Sequence, residues 1–370
     1  MKKLLSLIIT ALVAVSASAQ ISDGFYRLQC KQTGRFLTIH NNYVNKDVVS
    51  DKMYFQSLET ITGFENVVND PGSIAYLRKT STGWAIEGQG FTTQGKLDLQ
   101  ITQVGDAYWL WATVSSQGVT FTLYLRDYEE EPGYSYITTD TDCPNFDWYI
   151  VPVTGDNYFG LKGDVKVGDN YYTTIFSAFP IQLGSGMKAY TVNTLTSTSC
   201  TLEELGDLVP AKVPVVVACA GQDAAANKVT PLTEVNGTVG DNKLSGVIFC
   251  HPELYKSGKE DRKNPAWNCV DYNAATMRIL GEAEGKLSFI TAGDDLKYMP
   301  ANRAYLTVAE GSAAIIPTDG STTAISRISS DSRNSRSSRG TFTLNGTRLP
   351  DNATPQKGIY IQDGKKIVYK

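Results

Sequence analysis

Short stretches in which apolar and polar residues alternate dominate the first half of the chain. Successive side chains of a strand point to opposite faces of a sheet, so this alternation indicates half-buried strands. Glycines separate the stretches at turn-like spacing. The predicted strands are residues 25–28, 36–39, 96–104, 108–114 and 119–125. The pattern predicts an all-β domain over residues 20–155.

Three parts of this domain share one form, in which an aromatic-bearing strand meets a glycine-containing turn and a second strand. They are residues 25–39, 74–86 and 109–125. A threefold repeat of this kind predicts a β-trefoil-like domain or a small β-barrel. The segments GFYRL and TGRFL in the first part also resemble the first repeat of ricin-type lectin domains.

Residues 156–317 carry a second series of short strand patterns and predict a β-sandwich-like domain. One helical turn is predicted at residues 201–208, and the polar stretch 251–268 is predicted to be a surface loop. The predicted strands are residues 175–181, 187–192, 213–219, 243–250, 277–280, 287–290, 304–308 and 313–316.

The C-terminal part of the chain changes composition abruptly. Residues 318–340 are rich in Ser and Arg and offer almost nothing to bury, which predicts a flexible linker. Residues 341–370 then contain two strand-like pieces with the turn dipeptides Asn345-Gly346 and Asp363-Gly364. We predict a C-terminal β-hairpin tail, because these dipeptides favour tight hairpin turns.

The N-terminal residues 1–19 have the pattern of a secretory signal peptide. Lys2 and Lys3 precede an apolar run over residues 4–15, and the small residues Ala17 and Ala19 suit a cleavage site. The run is too short to span a bilayer as a helix. We therefore expect a mature chain that starts at Gln20, has no membrane span, and is secreted or displayed at the cell surface, with the periplasm as the alternative.

The charge of the chain disfavours nucleic acid and anionic membranes as partners. Without Lys2 and Lys3 there are 32 basic against 38 acidic residues, a net charge of −6. The tail differs, since residues 327–370 carry nine basic against three acidic residues. Export machinery or an acidic surface is a candidate partner for this basic tail, and a solvated linker is the simpler explanation.

Six cysteines remain in the mature chain, and an exported setting favours disulfides. Cys250 and Cys269 bracket the predicted polar loop and form the first candidate pair. Pairing within domains then gives Cys30–Cys143 and Cys200–Cys219, among 15 connectivities that six cysteines allow. No pair has C-x-x-C spacing, so no zinc site is predicted.

Two regions carry a resemblance to known secreted proteins. TLNGTR at residues 343–348 and PQKGIYIQDGKKIVYK at 355–370 resemble the end of a type IX secretion sorting domain, although the segment is shorter than a complete one. The body resembles a group of uncharacterised secreted Bacteroidales two-domain β-proteins, and this resemblance implies no activity. The matching phrases are NDPGSIAYL (69–77), DWYIVPV (147–153), YFGLK (158–162), YTTIFSAFP (172–180), GMKAY (186–190) and YMPANRAYL (298–306).

The familiar catalytic signatures are absent from the sequence, including G-x-S-x-G, H-E-x-x-H, G-x-G-x-x-G and the P-loop. We predict no catalytic residue, no cofactor and no metal site. His40 and His251 are expected in loops or at strand ends. The acidic clusters at residues 129–131 and 294–295 are expected in solvated turns, but a carboxylate-pair glycoside hydrolase leaves no sequence signature and stays open.

The aromatic residues give the strongest indication of a binding surface. In the strand pattern 108–114, Trp109 and Trp111 share one face, while Leu110 and Ala112 share the other. Two exposed parallel indoles would form a flat platform for sugar rings or an apolar partner surface. The alternative is burial of both indoles against a neighbouring domain.

Together these patterns predict an exported, non-catalytic binding protein whose partner is a glycan or a surface protein. A glycan-active hydrolase and a structural component of the cell envelope are the alternatives. A cleft with two carboxylates would favour the hydrolase, and an exposed Trp109/Trp111 surface would favour the binding protein.

Overall fold

The computed structural model describes residues 21–39, 58–89, 92–93, 98–128, 134–138, 144–235, 239–248, 270–319, 341–343, 358–362 and 365–369. Regular structure within these residues is nearly all β, as predicted. The one α-helix among them is α1 (Phe64–Val67), a single short turn. The chain divides into two compact units, Met1–Ser326 and Arg327–Lys370.

The first sheet contains ten strands, and all of its neighbouring strands are antiparallel. They are β1 (Gly24–Cys30), β2 (Phe36–Ile39), β3 (Leu58–Ile61), β4 (Ala75–Lys79), β5 (Trp84–Glu87), β6 (Leu99–Val104), β7 (Ala107–Ser116), β8 (Val119–Tyr128), β9 (Tyr134–Thr138) and β10 (Trp148–Pro152). Their order is β3-β2-β1-β4-β5-β6-β7-β8-β9, and β10 pairs with both β1 and β7. The pairings β1-β4-β5-β6-β7-β10 therefore return to β1 and close a circuit of six strands.

Alternating apolar side chains fill the inside of this circuit. Leu28 on β1, Leu77 on β4, Leu110 on β7 and Trp148 on β10 belong to one cluster and are each at most 1% exposed. The Trp148 indole N–H donates to the carbonyl of Leu125 at 3.0 Å, so the buried ring keeps a polar partner. This cluster is the core that fixes which face of β7 points outward.

The hairpin of β7 and β8 owes its register to a two-residue turn. Gln117 and Gly118 both have positive φ, 53° and 79°. Two successive residues of this kind form the turn type whose twist matches a β-hairpin, and glycine adopts the conformation without strain. Trp111 therefore lies opposite Tyr124, and Thr113 lies opposite Thr122.

Three further sheets complete the larger unit. The four-stranded sheet β11-β19-β14-β17 contains β11 (Phe159–Gly160), β14 (Ile181–Leu183), β17 (Leu208–Val209) and β19 (Lys228–Pro231). The six-stranded sheet β12-β13-β18-β15-β16-β24 contains β12 (Val165–Val167), β13 (Asn170–Ile175), β15 (Lys188–Leu195), β16 (Ser199–Gly206), β18 (Val215–Cys219) and β24 (Ile316–Asp319). The four-stranded sheet β20-β23-β21-β22 contains β20 (Leu244–Val247), β21 (Met277–Ala283), β22 (Lys286–Ile290) and β23 (Arg303–Thr307).

Three details of this region differ from the sequence prediction. The helical turn predicted at residues 201–208 was wrong, because residues 201–206 lie in β16 and Leu208 begins β17. The strand predicted over 175–181 is interrupted, since β13 ends at Ile175 and β14 begins at Ile181. The predicted linker starts at Thr318, but β24 continues to Asp319 and pairs in parallel with β16.

Buried contacts join the two predicted domains inside the larger unit. Ile74, from the first region, lies in the same core cluster as Phe159 and Val215 of the second. Gln89 is fully buried, and its side-chain oxygen accepts from the Ala178 backbone N–H at 2.8 Å and from Asn302 Nδ2 at 3.0 Å. The region around residue 155 is therefore a packed junction.

The smaller unit contains one antiparallel sheet of three strands in the order β25-β26-β27. They are β25 (Thr341–Thr343), β26 (Gly358–Gln362) and β27 (Lys365–Tyr369). The strands β26 and β27 form the hairpin expected of the tail, and β25 pairs with β26 at its other edge.

The disulfide prediction for Cys200 and Cys219 was wrong, because both carry free thiols. Cys200 lies on β16 and Cys219 on β18, with β15 between them. Two strand spacings are about 10 Å, whereas the Cα atoms of a disulfide lie within about 7 Å. Burial raises the pKa of each thiol to about 12, so both stay protonated and unreactive near neutral pH.

The other cysteine predictions concern residues that are mostly outside the described part of the chain. Cys143, Cys250 and Cys269 lie outside it, so the Cys250–Cys269 pair stays a prediction. Cys30 is fully buried with a free thiol, so the predicted Cys30–Cys143 pair is wrong. Burial raises the pKa of this thiol. Its Sγ lies 4.0 Å from the Asn145 carbonyl oxygen.

Candidate functional site

Trp109 and Trp111 lie on the outward face of β7, opposite the buried face that carries Leu110 and Ala112. Both indoles are half-buried. Thr102 on β6 is directly opposite Trp109, and Tyr124 on β8 is directly opposite Trp111. We call Trp109, Trp111 and Tyr124 the aromatic corner.

Tyr124 is the centre of this group of rings. Its ring centroid lies 5.7 Å from that of Trp109, with the planes at 87°, and 6.5 Å from that of Trp111, with the planes at 36°. Phe146 is buried and packs edge-on against Tyr124 at 5.8 Å. Offset and edge-to-face contacts are the favourable arrangements of aromatic pairs, so the rings support one another.

The two indole N–H groups are fixed in different directions. The N–H of Trp109 donates to Asp147 Oδ1 at 2.7 Å, in the segment before β10. The N–H of Trp111 donates to Thr102 Oγ1 at 2.9 Å, on β6. Polar partners on opposite sides of β7 therefore hold the two rings in separate orientations.

The flat platform of parallel indoles expected from the sequence is not formed. The plane of Tyr124 is 87° from that of Trp109 and 36° from that of Trp111, so the two indole planes differ by at least their difference, 51°. Both side chains project from the same face of the sheet, but their ring planes do not form one flat surface. The arrangement is a corner between two inclined rings.

Polar groups from two turns lie beside Trp109. Asp147 Oδ2 accepts from Gln32 Nε2 at 2.8 Å. Lys31 pairs with Asp106, and this exposed contact raises the pKa of Lys31 and lowers that of Asp106. The Tyr149 hydroxyl lies 3.4 Å from Asp106 Oδ2.

Uncharged side chains border the aromatic corner on its strands. Gln100 lies opposite Trp111 on β6, and Thr113 lies opposite Thr122 on β8. The Gln100 amide donates to the Thr82 carbonyl at 2.8 Å. This part of the face thus offers amide and hydroxyl groups, and the carboxylate of Asp147 stands at its edge.

The other predicted sites give no grouping of catalytic side chains in the described residues. Asp294 and Asp295 are exposed in a turn. His40, His251 and residues 129–131 lie outside the described part. No cluster of three or more His, Cys, Asp or Glu side chains in the described part is arranged to hold a metal ion.

Sequence reasoning identified Trp109 and Trp111 but missed Asp147, Thr102 and Tyr124. Asp147 is 38 residues from Trp109 along the chain, so their hydrogen bond has no local signature. The sequence offered one signal, the phrase DWYIVPV (147–153), in which Asp147 immediately precedes Trp148 and Tyr149.

Comparisons with known proteins give no relative for this chain. No family model matches it, no curated protein matches it, and no solved structure matches it. Among the described residues, no helix has the length and apolar character required to cross a membrane.

Proposed function

We propose that this chain is an exported, non-catalytic glycan-binding protein that binds at the aromatic corner. The observation that carries the proposal is the fixing of two half-exposed indoles by Asp147 and Thr102. A side chain already held in one orientation loses little freedom on binding, which favours affinity. Aromatic rings beside hydroxyl and amide groups suit a ligand that is apolar on one face and polar at its rim, as a sugar ring is.

The fold that we propose for the first region is a β-trefoil-like barrel. Its support is the closed six-strand circuit, whose strands occur as three pairs along the chain. An excursion separates the members of each pair: β2 and β3 between β1 and β4, the Glu87–Thr92 bridge between β5 and β6, and β8 and β9 between β7 and β10. For the second region we propose a sandwich, supported by a core cluster shared between the four-stranded sheet of β11 and the six-stranded sheet of β13.

A carboxylate-pair hydrolase is less well supported at this surface. Such an enzyme needs a general acid whose pKa is raised. Asp106 and Asp147 both interact with the charge of Lys31, and the hydrogen bond with Lys31 lowers the pKa of Asp106. Asp106 is therefore poorly suited to protonate a leaving group.

The glycan proposal is tested with the mature chain, residues 20–370, on a glycan array. We expect at least one glycan to bind, and we expect the double variant Trp109→Ala, Trp111→Ala to lose about 1–3 kcal/mol of binding free energy. Phe121→Ser is the matched control. Phe121 is 41% exposed on the opposite face of the same hairpin, so its loss should leave binding unchanged.

Two results would contradict the proposal. The first is an array without any bound glycan. The second is a double Trp variant that keeps full affinity while its melting temperature is unchanged. If the melting temperature of the double variant is much lower, the double variant Trp109→Phe, Trp111→Phe is used instead. It keeps aromatic rings at both positions but removes both N–H donors.

We further propose that the chain is exported through its signal peptide to the cell surface or medium, like the secreted Bacteroidales proteins it resembles. The tail would then be recognised by the export machinery. Its support is the separate compact unit Arg327–Lys370, which follows the last strand of the body.

Removal of residues 327–370 tests the role of the tail. We expect the melting temperature of the body to stay nearly unchanged, because the larger unit ends at Ser326. We also expect loss of surface retention in the source cell, measured by fractionation. A body that melts many degrees lower would instead show that the tail completes its fold.

A further inference from the structure

We infer that the aromatic corner takes a single neutral sugar ring, a terminal residue or a free monosaccharide, whose hydroxyls bind Asp147. This inference rests on the proposed glycan-binding function and specifies its ligand class. It comes from the ring geometry, the hydrogen bonds of Asp147 and the charges around the corner.

The ring planes do not suit a straight glycan stacked on both indoles. Neighbouring sugar rings of an extended glycan could stack on Trp109 and Trp111 together only if the indoles were nearly parallel. The planes are at least 51° apart, the difference between their angles of 87° and 36° to Tyr124. A sugar ring that lies flat on one indole is therefore inclined by at least 51° to the other indole, which favours a site for one ring.

Asp147 is placed to select the hydroxyls of that ring. Its Oδ1 accepts the N–H of Trp109 at 2.7 Å, so the carboxylate lies at the edge of the indole. Its Oδ2 accepts Gln32 Nε2 at 2.8 Å. An ionised carboxylate has about four acceptor positions, so about two remain for hydroxyls of a ring stacked on Trp109. The side chain is partly exposed, which leaves it open to a ligand.

The charges around the corner favour a neutral sugar over an acidic one. Thr102 and Gln100 on β6 are uncharged, and Asp147 would repel a carboxylate on the ligand. The nearby cation Lys31 is paired with Asp106. A uronic or sialic acid would have to break that pair to obtain a counter-charge.

Chain-length dependence tests the single-ring site. The probes are methyl glycosides of glucose, galactose, mannose and N-acetylglucosamine, and the tetrasaccharide of whichever sugar binds, titrated into the mature chain by calorimetry. We expect the monosaccharide glycoside and its tetrasaccharide to bind within about threefold of each other, because each presents one terminal ring. The corresponding uronic acid glycoside should bind about tenfold more weakly or not at all.

The outcomes separate this inference from the function on which it rests. An affinity that rises more than about tenfold from monosaccharide to tetrasaccharide would overturn the single-ring site and keep the glycan-binding function. Tighter binding of the uronic acid would overturn the neutral ligand class. Absence of binding to every glycan on the array would remove the function and the inference together.

Asp147→Asn tests the role of the carboxylate. The amide has one oxygen and no charge, so we expect the affinity for the monosaccharide to fall about tenfold or more. Asp98→Asn is the control, because Asp98 is an exposed aspartate immediately before β6 that accepts from Thr82 Oγ1 at 2.7 Å. Equal affinities of the two variants for the monosaccharide would overturn the assignment of Asp147.

Discussion

Replacement of Arg27 by methionine is expected to lower the free energy of unfolding by about 3–5 kcal/mol. The guanidinium of Arg27 is fully buried. Its Nε donates to Ser73 Oγ at 2.9 Å, and Nη2 donates to the Val67 carbonyl at 3.1 Å. Nη1 donates to the carbonyls of Asn157 and Tyr158 at 2.9 and 3.0 Å. One side chain thus ties the first β region to the segment that begins the second.

Methionine fills a similar volume but supplies no donor. The Val67 carbonyl would keep the Asp70 backbone N–H and the Ser73 hydroxyl as donors. The partly buried carbonyls of Asn157 and Tyr158 would lose the Arg27 donor, at a cost of about 1–3 kcal/mol for each one left unsatisfied. Burial lowers the pKa of Arg27 to about 10, so the side chain still carries its charge at neutral pH. Phe64 faces this charge, with the guanidinium carbon 5.3 Å from the ring centroid.

The measurement is urea unfolding of the mature chain, followed by tryptophan fluorescence. Arg78→Met is the control, since Arg78 is half-exposed and pairs with Glu87 at 3.2 Å. We expect that variant to lose less than about 1 kcal/mol. Equal losses in the two variants would show that the buried network of Arg27 contributes no more than a surface ion pair.

Much of the β architecture could be predicted from the sequence, because the alternation of apolar and polar residues follows directly from the burial of one sheet face. Strand β2 was predicted with its observed bounds, and the observed β7 contains the whole predicted segment 108–114. The same alternation placed Trp109 and Trp111 on one face. Arg27 marks the limit of the method, because a charged residue in a strand pattern suggests an exposed position.

The wrong prediction of a helical turn shows that strand pairing can override the local sequence pattern. Leu202, Leu205 and Leu208 have a helix-like spacing, and two glutamates follow the first of them. However, the backbone of β16 pairs with β15 on one side and with β24 on the other. The partner β24 is more than a hundred residues away, so the local sequence could not reveal the second of these ladders.

The cysteine prediction and the platform prediction failed for a related reason. Spacing along the chain does not give strand order, and β15 lies between the strands of Cys200 and Cys219. Likewise, alternation predicts the sheet face from which a side chain projects, but it does not predict the orientation of the ring. The orientation of Trp109 depends on a hydrogen bond to Asp147, which comes from a distant segment.

The second large effect is expected at Asp127, a fully buried carboxylate on β8. Its Oδ1 accepts from Arg35 Nη2 at 2.6 Å and from Thr60 Oγ1 at 2.9 Å. Its Oδ2 accepts from Arg35 Nε at 2.8 Å and from the Thr33 hydroxyl. Asp127 therefore connects the segment between β1 and β2 with β3 and β8.

Asp127→Ala should lower the free energy of unfolding by about 3–5 kcal/mol, because it removes the counter-charge of a buried guanidinium. Double-mutant analysis with Arg35→Met separates this pairing from lost packing. We expect a coupling energy of about 1–3 kcal/mol, so the double variant should be more stable than the sum of the single losses implies. The exposed pair Lys188–Glu204, at 2.8 Å, is the control and should give at most about 0.5 kcal/mol. A coupling at Asp127 as small as that of the control would mean that its hydroxyl partners, rather than the ion pair, hold β3 and β8 together.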